Sequence, residues 1–259
     1  MTVHEQARRV GDRGDAVGGQ VEAADLVDVV LQFEGERNTR LRMVRAVKNR
    51  FGPVDEVGCF DLTSDGITAV TDPSGLFVHR HHEPVAGTCV SVTLEGRRPM
   101  LAEIQALVAR SAGERPRRTT SGVDTSRTAM ILAVLEARAG VALTHDDVFV
   151  STVGGAQVKE PAGDLAIALA VASAARGTVV PQEVVALGEI GLAGELRRVR
   201  DLPRRLAEAR RIGFEHAVVP AEPGAATPRV DGLEVVPAPD LATALRILDL
   251  RGVRRARPA

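Results

Sequence analysis

The sequence predicts a mixed α/β protein of the α+β kind, built in two parts. Three observations carry this. β-prone runs punctuated by turn residues fill the chain up to about residue 83, strand-like and helix-like segments alternate from residue 84 onward, and the helix-like segments open at Asp, Ser or Pro and stop at Gly.

Each element follows from its own residues. "LVDVVLQFEGE" reads as a strand-rich segment turning at Gly35, and "TRLRMVRAVKNRFGP" as a long strand closed by Gly52 and Pro53. "GCFDLTSDGITAV" carries the Asp65-Gly66 turn signal between two β-prone runs, which predicts a hairpin. "DPSGLFVHRHHEP" reads as the link between the parts. "GTCVSVTLEG" and "PMLAEIQALV" flank a tight "GRRP" turn and are expected to pair antiparallel. "DTSRTAMILAVLEARAG" is a helix with Asp124 or Ser126 as N-cap and Gly140 past its end. "DDVFVSTVGG" is a strand, and "PAGDLAIALAVASAARG" a helix from Pro161 to Gly177. "EVVALGEIGLAGELRRV" reads as a strand pair about a Gly turn, "LPRRLAEARRIG" as a helix, "HAVVP" as a strand and "PDLATALRILDL" as the last helix.

Composition narrows the function classes. At 259 residues, 44% apolar and 26% charged, the chain has material for one large core or two modest ones. A net charge of -1 leaves nucleic-acid contact to local patches. With six Phe and neither Tyr nor Trp, the chain lacks most of the ring faces on which single-stranded bases stack. Cys59 and Cys89 make neither a zinc spacing nor a disulfide framework, which fits a reducing cytoplasm. Residues 1–20 are polar, expected to be disordered, and lack the apolar core of a signal peptide; residues 251–259 read as a basic flexible tail. The longest apolar run, Leu165 to Ala175, is bracketed by Asp164 and Arg176 and is far shorter than the ~20 residues a bilayer crossing needs. It predicts a buried helix, and no membrane partner.

Two runs then stand out. "VRAVKNRFGPVDEVGCFDL" and "GGAQVKEPAGDLAIA", the latter followed by "GEIGLAGELRRV", resemble in order and spacing the C-terminal half of the RadA (Sms) family of bacterial DNA repair and recombination proteins. The resemblance covers Val21 to Leu250, and the K-N-R-F-G pentapeptide, Lys48 to Gly52, is that family's signature. It implies that residues 21–83 are the C-terminal strands of a RecA-like ATPase core. Residues 84–250 would then form a Lon-protease-like domain of the ribosomal protein S5 domain 2-like fold. The family's four-cysteine zinc finger and its G-x-x-x-x-G-K-[ST] loop do not occur here, so the expectation is a truncated RadA-type chain that cannot cradle ATP phosphates alone. ATP and Mg belong to the full-length family.

The resemblance also places a peptidase dyad. Lon-type peptidases need a hydroxyl nucleophile before the helix and a lysine some forty residues later. Those places hold Ala162 and Pro203, and loss of such a pair costs about 10⁴ to 10⁶ in rate, so no peptidase activity is expected. The same "EPAGDLA" also reads as a capped, buried helix start.

Strand alternation places Lys48 and Arg50 on one face, opposite Asn49 and Phe51. The resemblance implies that this pair reaches the nucleotide of a neighbouring subunit; the alternative is a solvated strand end. Seven arginines lie between Arg197 and Arg211, and "GERPRR" adds Arg115, Arg117 and Arg118. Such local density suits phosphate contacts. By resemblance the positions facing duplex or branched DNA in a hexameric homo-oligomer are Arg98, Arg118, Arg127, Lys159 and Arg197, with a RecA-type recombinase as partner of the full-length family. The alternative is a solvated helix face paired with Asp201 and Glu208. Lys48 and Lys159 are the chain's two lysines. His79, His81, His82 and Glu83 read as linker rather than metal ligands, so no metal is expected. The expected function is a non-enzymatic, DNA-associated scaffold of RadA-type repair. Its alternatives are an ATP-dependent motor or a Lon-like peptidase completed by another chain, and an assembly module without DNA contact.

Overall fold

A period of two runs through the first segment, and the backbone follows it into a four-stranded antiparallel meander. The computed structural model describes residues 27–35, 40–64, 66–70, 85–113, 115–221, 224 and 226–248. The predicted terminal segments 1–20 and 251–259 and the histidine run at His79, His81, His82 and Glu83 lie outside the described residues. Two compact units are formed, one of residues up to Thr71 together with Glu95–Arg98, the other of Asp72–Leu94 and Pro99 onward. The expected division near residue 83 falls in a stretch that is not described.

In the first unit, β1 (Val29–Glu34), β2 (Leu41–Asn49), β3 (Val57–Thr63) and β4 (Gly66–Ala69) pair in chain order. Register puts Leu31 beside Ala46, Phe33 beside Val44, Arg42 beside Phe60 and Leu62 beside Ile67. Paired residues share a face, so these side chains, apolar except for Arg42, form one side of the sheet. The opposite side carries Arg45, whose guanidinium donates to Glu34 at 2.8 Å and to Glu95 at 2.9 Å. Cys59 is buried on that side, and burial pushes its thiol up.

The second unit is built on a seven-stranded mixed sheet in the order β13-β12-β9-β5-β6-β8-β7. Its strands are β5 (Thr88–Glu95), β6 (Arg98–Arg110), β7 (Arg118–Ser121), β8 (Asp146–Thr152), β9 (Val184–Ala186), β12 (His216–Pro220) and β13 (Glu234–Ala238). β10 (Glu189–Ile190) and β11 (Leu196–Arg197) make a separate antiparallel pair. The helices are α1 (Thr125–Ala139), α2 (Asp164–Arg176), α3 (Leu202–Ile212) and α4 (Leu241–Ile247). Strand alternation sends Cys89, Ile104, Val148, Val184 and Val218 into one core with α1, α2 and α4. It sends Val90, Val92, Leu101, Val185 and Val219 into a second core with Leu202, Leu206 and Ala209 of α3. The sheet is therefore covered by helices on both faces. α2 is buried continuously from Asp164 to Ser173, which is why its sequence shows no polar stripe.

The α/β class and most elements match the reading from sequence; four details differ. The helix expected from Pro161 opens as a 3-10 turn, Pro161–Gly163, and becomes α-helical at Asp164. The segment read as one strand pair divides: Val184–Ala186 enters the large sheet in parallel with β5 and β12, and only β10 and β11 turn about the Gly loop. Two edge strands, β7 and β13, were not expected. β7 is four polar or β-branched residues with no apolar alternation, and Pro237 sits inside β13, where proline is tolerated on an edge. Gly66, read as part of the hairpin turn, is already in β4 opposite Thr63.

The caps predicted for α1 are both used. Asp124 accepts from the Arg127 N–H at 2.7 Å, and Gly140 takes the left-handed φ of 66°. Asp124→Ala is expected to cost about 1 kcal/mol of stability. A denaturation midpoint unchanged in this variant would show that the cap contributes nothing.

Candidate functional site

The loop before α2 starts at Glu160; it holds Ala162, whereas Pro203 lies on α3. Ala162 is 2% exposed and packs in the α3-side core with Val92, Leu101 and Leu202. Its carbonyl accepts from the Gly188 N–H at 3.0 Å. Pro203 is exposed in the first turn of α3. Ser91 brings a hydroxyl near the loop, 3.5 Å from the Ala162 carbonyl, but it is fully buried. The loop thus offers neither a solvent-facing nucleophile at position 162 nor an amine at position 203.

Two ion pairs bracket Ala162. Glu160, on its N-terminal side, receives both Nη atoms of Arg205, Nη1 at 2.5 Å and Nη2 at 2.7 Å, and the Leu94 N–H at 2.7 Å. Arg205 is 0% exposed and also donates to the carbonyls of Val92 at 2.6 Å and Arg200 at 2.8 Å. Asp164, on the C-terminal side, receives Arg127 Nε at 2.5 Å, Nη2 at 2.6 Å and the Ile190 N–H at 3.0 Å. Burial pushes the Asp164 carboxyl up, and the Arg127 guanidinium and the Ile190 N–H oppose that rise. Reciprocally, the hydrogen bonds to Asp164 raise Arg127.

Sequence reasoning missed Glu160, Asp164 and Arg205. A signal for Arg205 existed: at three residues from both Leu202 and Glu208 it falls with Leu202, Leu206 and Ala209 on the buried side of α3. Nothing in composition separates it from the arginines around it.

Of the positions expected to face DNA, four spend donors inside the chain. Arg98 donates to the Val57 carbonyl at 3.5 Å and the Val70 carbonyl at 3.3 Å. Arg118 reaches the Leu143 carbonyl at 2.8 Å and the Asp146 carbonyl, bracing the turn before β8. Arg127 is held by Asp164, with Glu189 at 3.7 Å. Arg197 is held by Glu195 at 2.5 Å, with Glu189 at 3.9 Å. Arg127 and Arg197 are therefore brought together around Glu189, in a cluster with more carboxylates than guanidinium groups. Lys159 is exposed.

β2 ends at Asn49, and the Arg50 N–H donates to the Asp28 carbonyl at 3.0 Å, one step beyond the pairing of Val29 with Asn49. A bulge opposite Val30 and Leu31 shifts the register just before Lys48. The Asn49 side chain accepts from the Phe51 N–H at 3.1 Å and turns the chain, leaving Arg50 exposed and 3.0 Å from Asp28. Among the described residues no group of three His, Cys, Asp or Glu is placed to hold a metal. Cys89 is buried, and its thiol is pushed up to about 12.

The Asp164 pair yields a pH signature. A carboxyl whose folded pKa is raised contributes its stability fully below the ordinary Asp range and loses it as pH rises through the raised value. Arg127→Ala removes the opposing cation and raises Asp164 further. The variant is expected to lose about 3 kcal/mol at pH 7, the low end for breaking a buried pair because Arg127 is 25% exposed, and distinctly less near pH 4. Equal losses at both pH values, by urea unfolding, would remove Asp164 from the account.

Comparison with known proteins agrees with this architecture. Residues 102–223 match the family model described as subunit ChlI of Mg-chelatase. The chain is 52% identical over 233 residues to DNA repair protein RadA of Mycolicibacterium smegmatis, covering 90% of this chain and 49% of that protein. It is 45% identical over 233 residues to RadA of Pseudomonas aeruginosa, covering 90% and 51%, and 40% identical over 221 residues to RadA of Bacillus subtilis, covering 85% and 48%. The chain spans about half the length of these relatives. Its sequence is that of the C-terminal portion of the RadA family.

Proposed function

We propose that this chain acts in recombinational DNA repair as the DNA-associated, proteolytically inert scaffold portion of a RadA-type protein. The observation that carries the reading is the exchange of reactive groups for structural ones in the peptidase-like loop. Alanine fills the nucleophile position inside an apolar core, proline fills the base position, and ion pairs from Glu160 and Asp164 fix the loop on either side. The identity of up to 52% to RadA proteins supplies the biological setting.

In this reading the second unit is a Lon-like domain that assembles as a ring on duplex or branched DNA, alongside a RecA-type recombinase. The first unit belongs to a RecA-like core whose other elements lie outside the match. Its open apolar side supports that assignment: Leu31 is 55% exposed, Phe33 67% and Ile67 57%. Each such side chain gains about 1.5 to 3 kcal/mol when fully covered. The turn carrying Lys48 and Arg50 then acts on the ATP and Mg of a neighbouring subunit, since the chain lacks a phosphate loop of its own.

Three outcomes are expected. Ala162→Ser, alone or with Pro203→Lys, yields no hydrolysis of unfolded casein, and the hydroxyl lowers stability by about 1 to 3 kcal/mol because it enters an apolar core. Casein cleavage by either variant would restore the peptidase reading. Mixed with a RadA-type subunit that carries a phosphate loop, the chain supports ATP turnover that falls about 10³-fold or more on Arg50→Ala. Turnover indifferent to that change would remove the trans role.

A further inference from the structure

We propose that the hairpin of β5 and β6 is a strut that carries changes at the Glu160–Arg205 pair to β2, the strand leading to Lys48 and Arg50. Its use in repair rests on the function proposed above, whereas the strut itself requires neither DNA nor ATP. Glu95–Arg98, the tip of the hairpin, belong to the first unit, and the remainder of both strands belongs to the second. One ribbon of chain is thus built into two cores.

The stem is held by side chains where a strand gives out. Residues two apart on a strand turn their N–H and C=O groups to the same edge. On β5 the edge away from β6 carries Val90, Val92 and Leu94, and β9 pairs with it at Val90. Further along, the Val92 carbonyl accepts from Arg205 Nη1 at 2.6 Å, and the Leu94 N–H donates to Glu160 at 2.7 Å. Glu160 in turn holds both Nη atoms of Arg205. One ion pair therefore positions β5 at the residue before the tip begins. Loss of that pair frees this edge, which a neighbouring strand would hold through several bonds.

The tip is seated on the side of the four-stranded sheet that buries Val57 and Cys59. Glu95 accepts from Arg45 of β2 at 2.9 Å, the Arg97 N–H donates to the Asp55 carbonyl at 2.7 Å, and Arg98 reaches the carbonyls of Val57 and Val70. Gly96 has a φ of 61°, and a Cβ there would strike the Asp55 carbonyl, so the close seat requires glycine. Burial pushes the Cys59 thiol up, Arg98 opposes the rise and Glu95 adds to it, which places the tip near that side chain. The seat is not fully satisfied: Arg45 Nε is buried and, among the described residues, has no hydrogen-bond partner. Lifting the tip returns that donor to water, which narrows the gap between the seated and lifted states.

The two free cysteines report the test, Cys59 beside the tip and Cys89 in the core of the second unit, both 2% exposed. The full chain is labelled with a maleimide under native conditions, and the rate at each thiol is read by peptide mass spectrometry. Gly96→Ala lifts the tip and is expected to speed Cys59 about tenfold while Cys89 stays within about twofold. Glu160→Gln, which alters no atom of the first unit, is expected to speed Cys59 about fivefold or more and to exceed any change at Cys89. Added to Gly96→Ala it is expected to contribute less than about twofold, since the tip has already lifted. Should Glu160→Gln lose its circular dichroism, Arg205→Lys keeps the buried charge pair without the guanidinium fork and is held to the same selectivity for Cys59. In a folded variant, a wild-type rate at Cys59, equal acceleration of both thiols, or full multiplication with Gly96→Ala overturns the strut. None of these outcomes bears on the ATP turnover test of Arg50→Ala, so the two readings fail separately.

Discussion

Arg205 is a fixed charge with no route to solvent. A guanidinium cannot give up its proton in a protein, so once its side chain is 0% exposed the surroundings must supply acceptors for it. Glu160 supplies two, and the carbonyls of Val92 and Arg200 the others. Those acceptors come from the loop before α2, from β5 and from the approach to α3. One buried cation therefore fixes three segments that are distant in sequence, 113 residues separating Arg205 from Val92. Left without Glu160, the charge would cost several kcal/mol, and the turn at Pro161–Gly163 would lose its anchor.

The second pair completes the constraint. Asp164 begins α2 and holds Arg127 from α1, while its second oxygen also takes the Ile190 N–H. Ala162 sits two residues from each acid. Its backbone is held from both sides, and its side chain needs only to fill apolar space. A reactive site has the opposite requirement, a polar group exposed to substrate and a base free to change protonation. The loop's rigidity comes from nearby polar groups that are tied into structural ion pairs.

Sequence legibility followed the reach of the interactions involved. α1 was readable to the residue because Asp124 and Gly140 act within one turn of their own helix. α2 was readable as buried because no polar residue interrupts Leu165 to Ala172. β7 was not, since "RTTS" is stabilised by its parallel partner β8 rather than by any pattern of its own. The same limit applies to the site. The identities of residues 162 and 203 are local facts of the sequence, whereas the pairing of Arg205 with Glu160, 45 residues away, depends on the fold. The turn after β2 is a related case: the Asn49 side chain accepts from the Phe51 N–H, a local cap that strand alternation does not register.

Arginine is the residue whose meaning the fold decides most completely. In this chain it is a core ion in Arg205, a brace on carbonyl oxygens in Arg118 and Arg98, and a bidentate clasp in Arg127. On the outer side of α3 it closes an ion pair within its own helix, Arg211 with Glu208 at 2.7 Å. What separates these uses is the balance of carboxylates and carbonyls within a few ångströms, because a guanidinium whose donors face fixed acceptors presents little net field to a phosphate. Counting arginines along the sequence therefore overstates the positive field at the surface. Arg127 and Arg197 stand among the acids Asp164, Glu189 and Glu195.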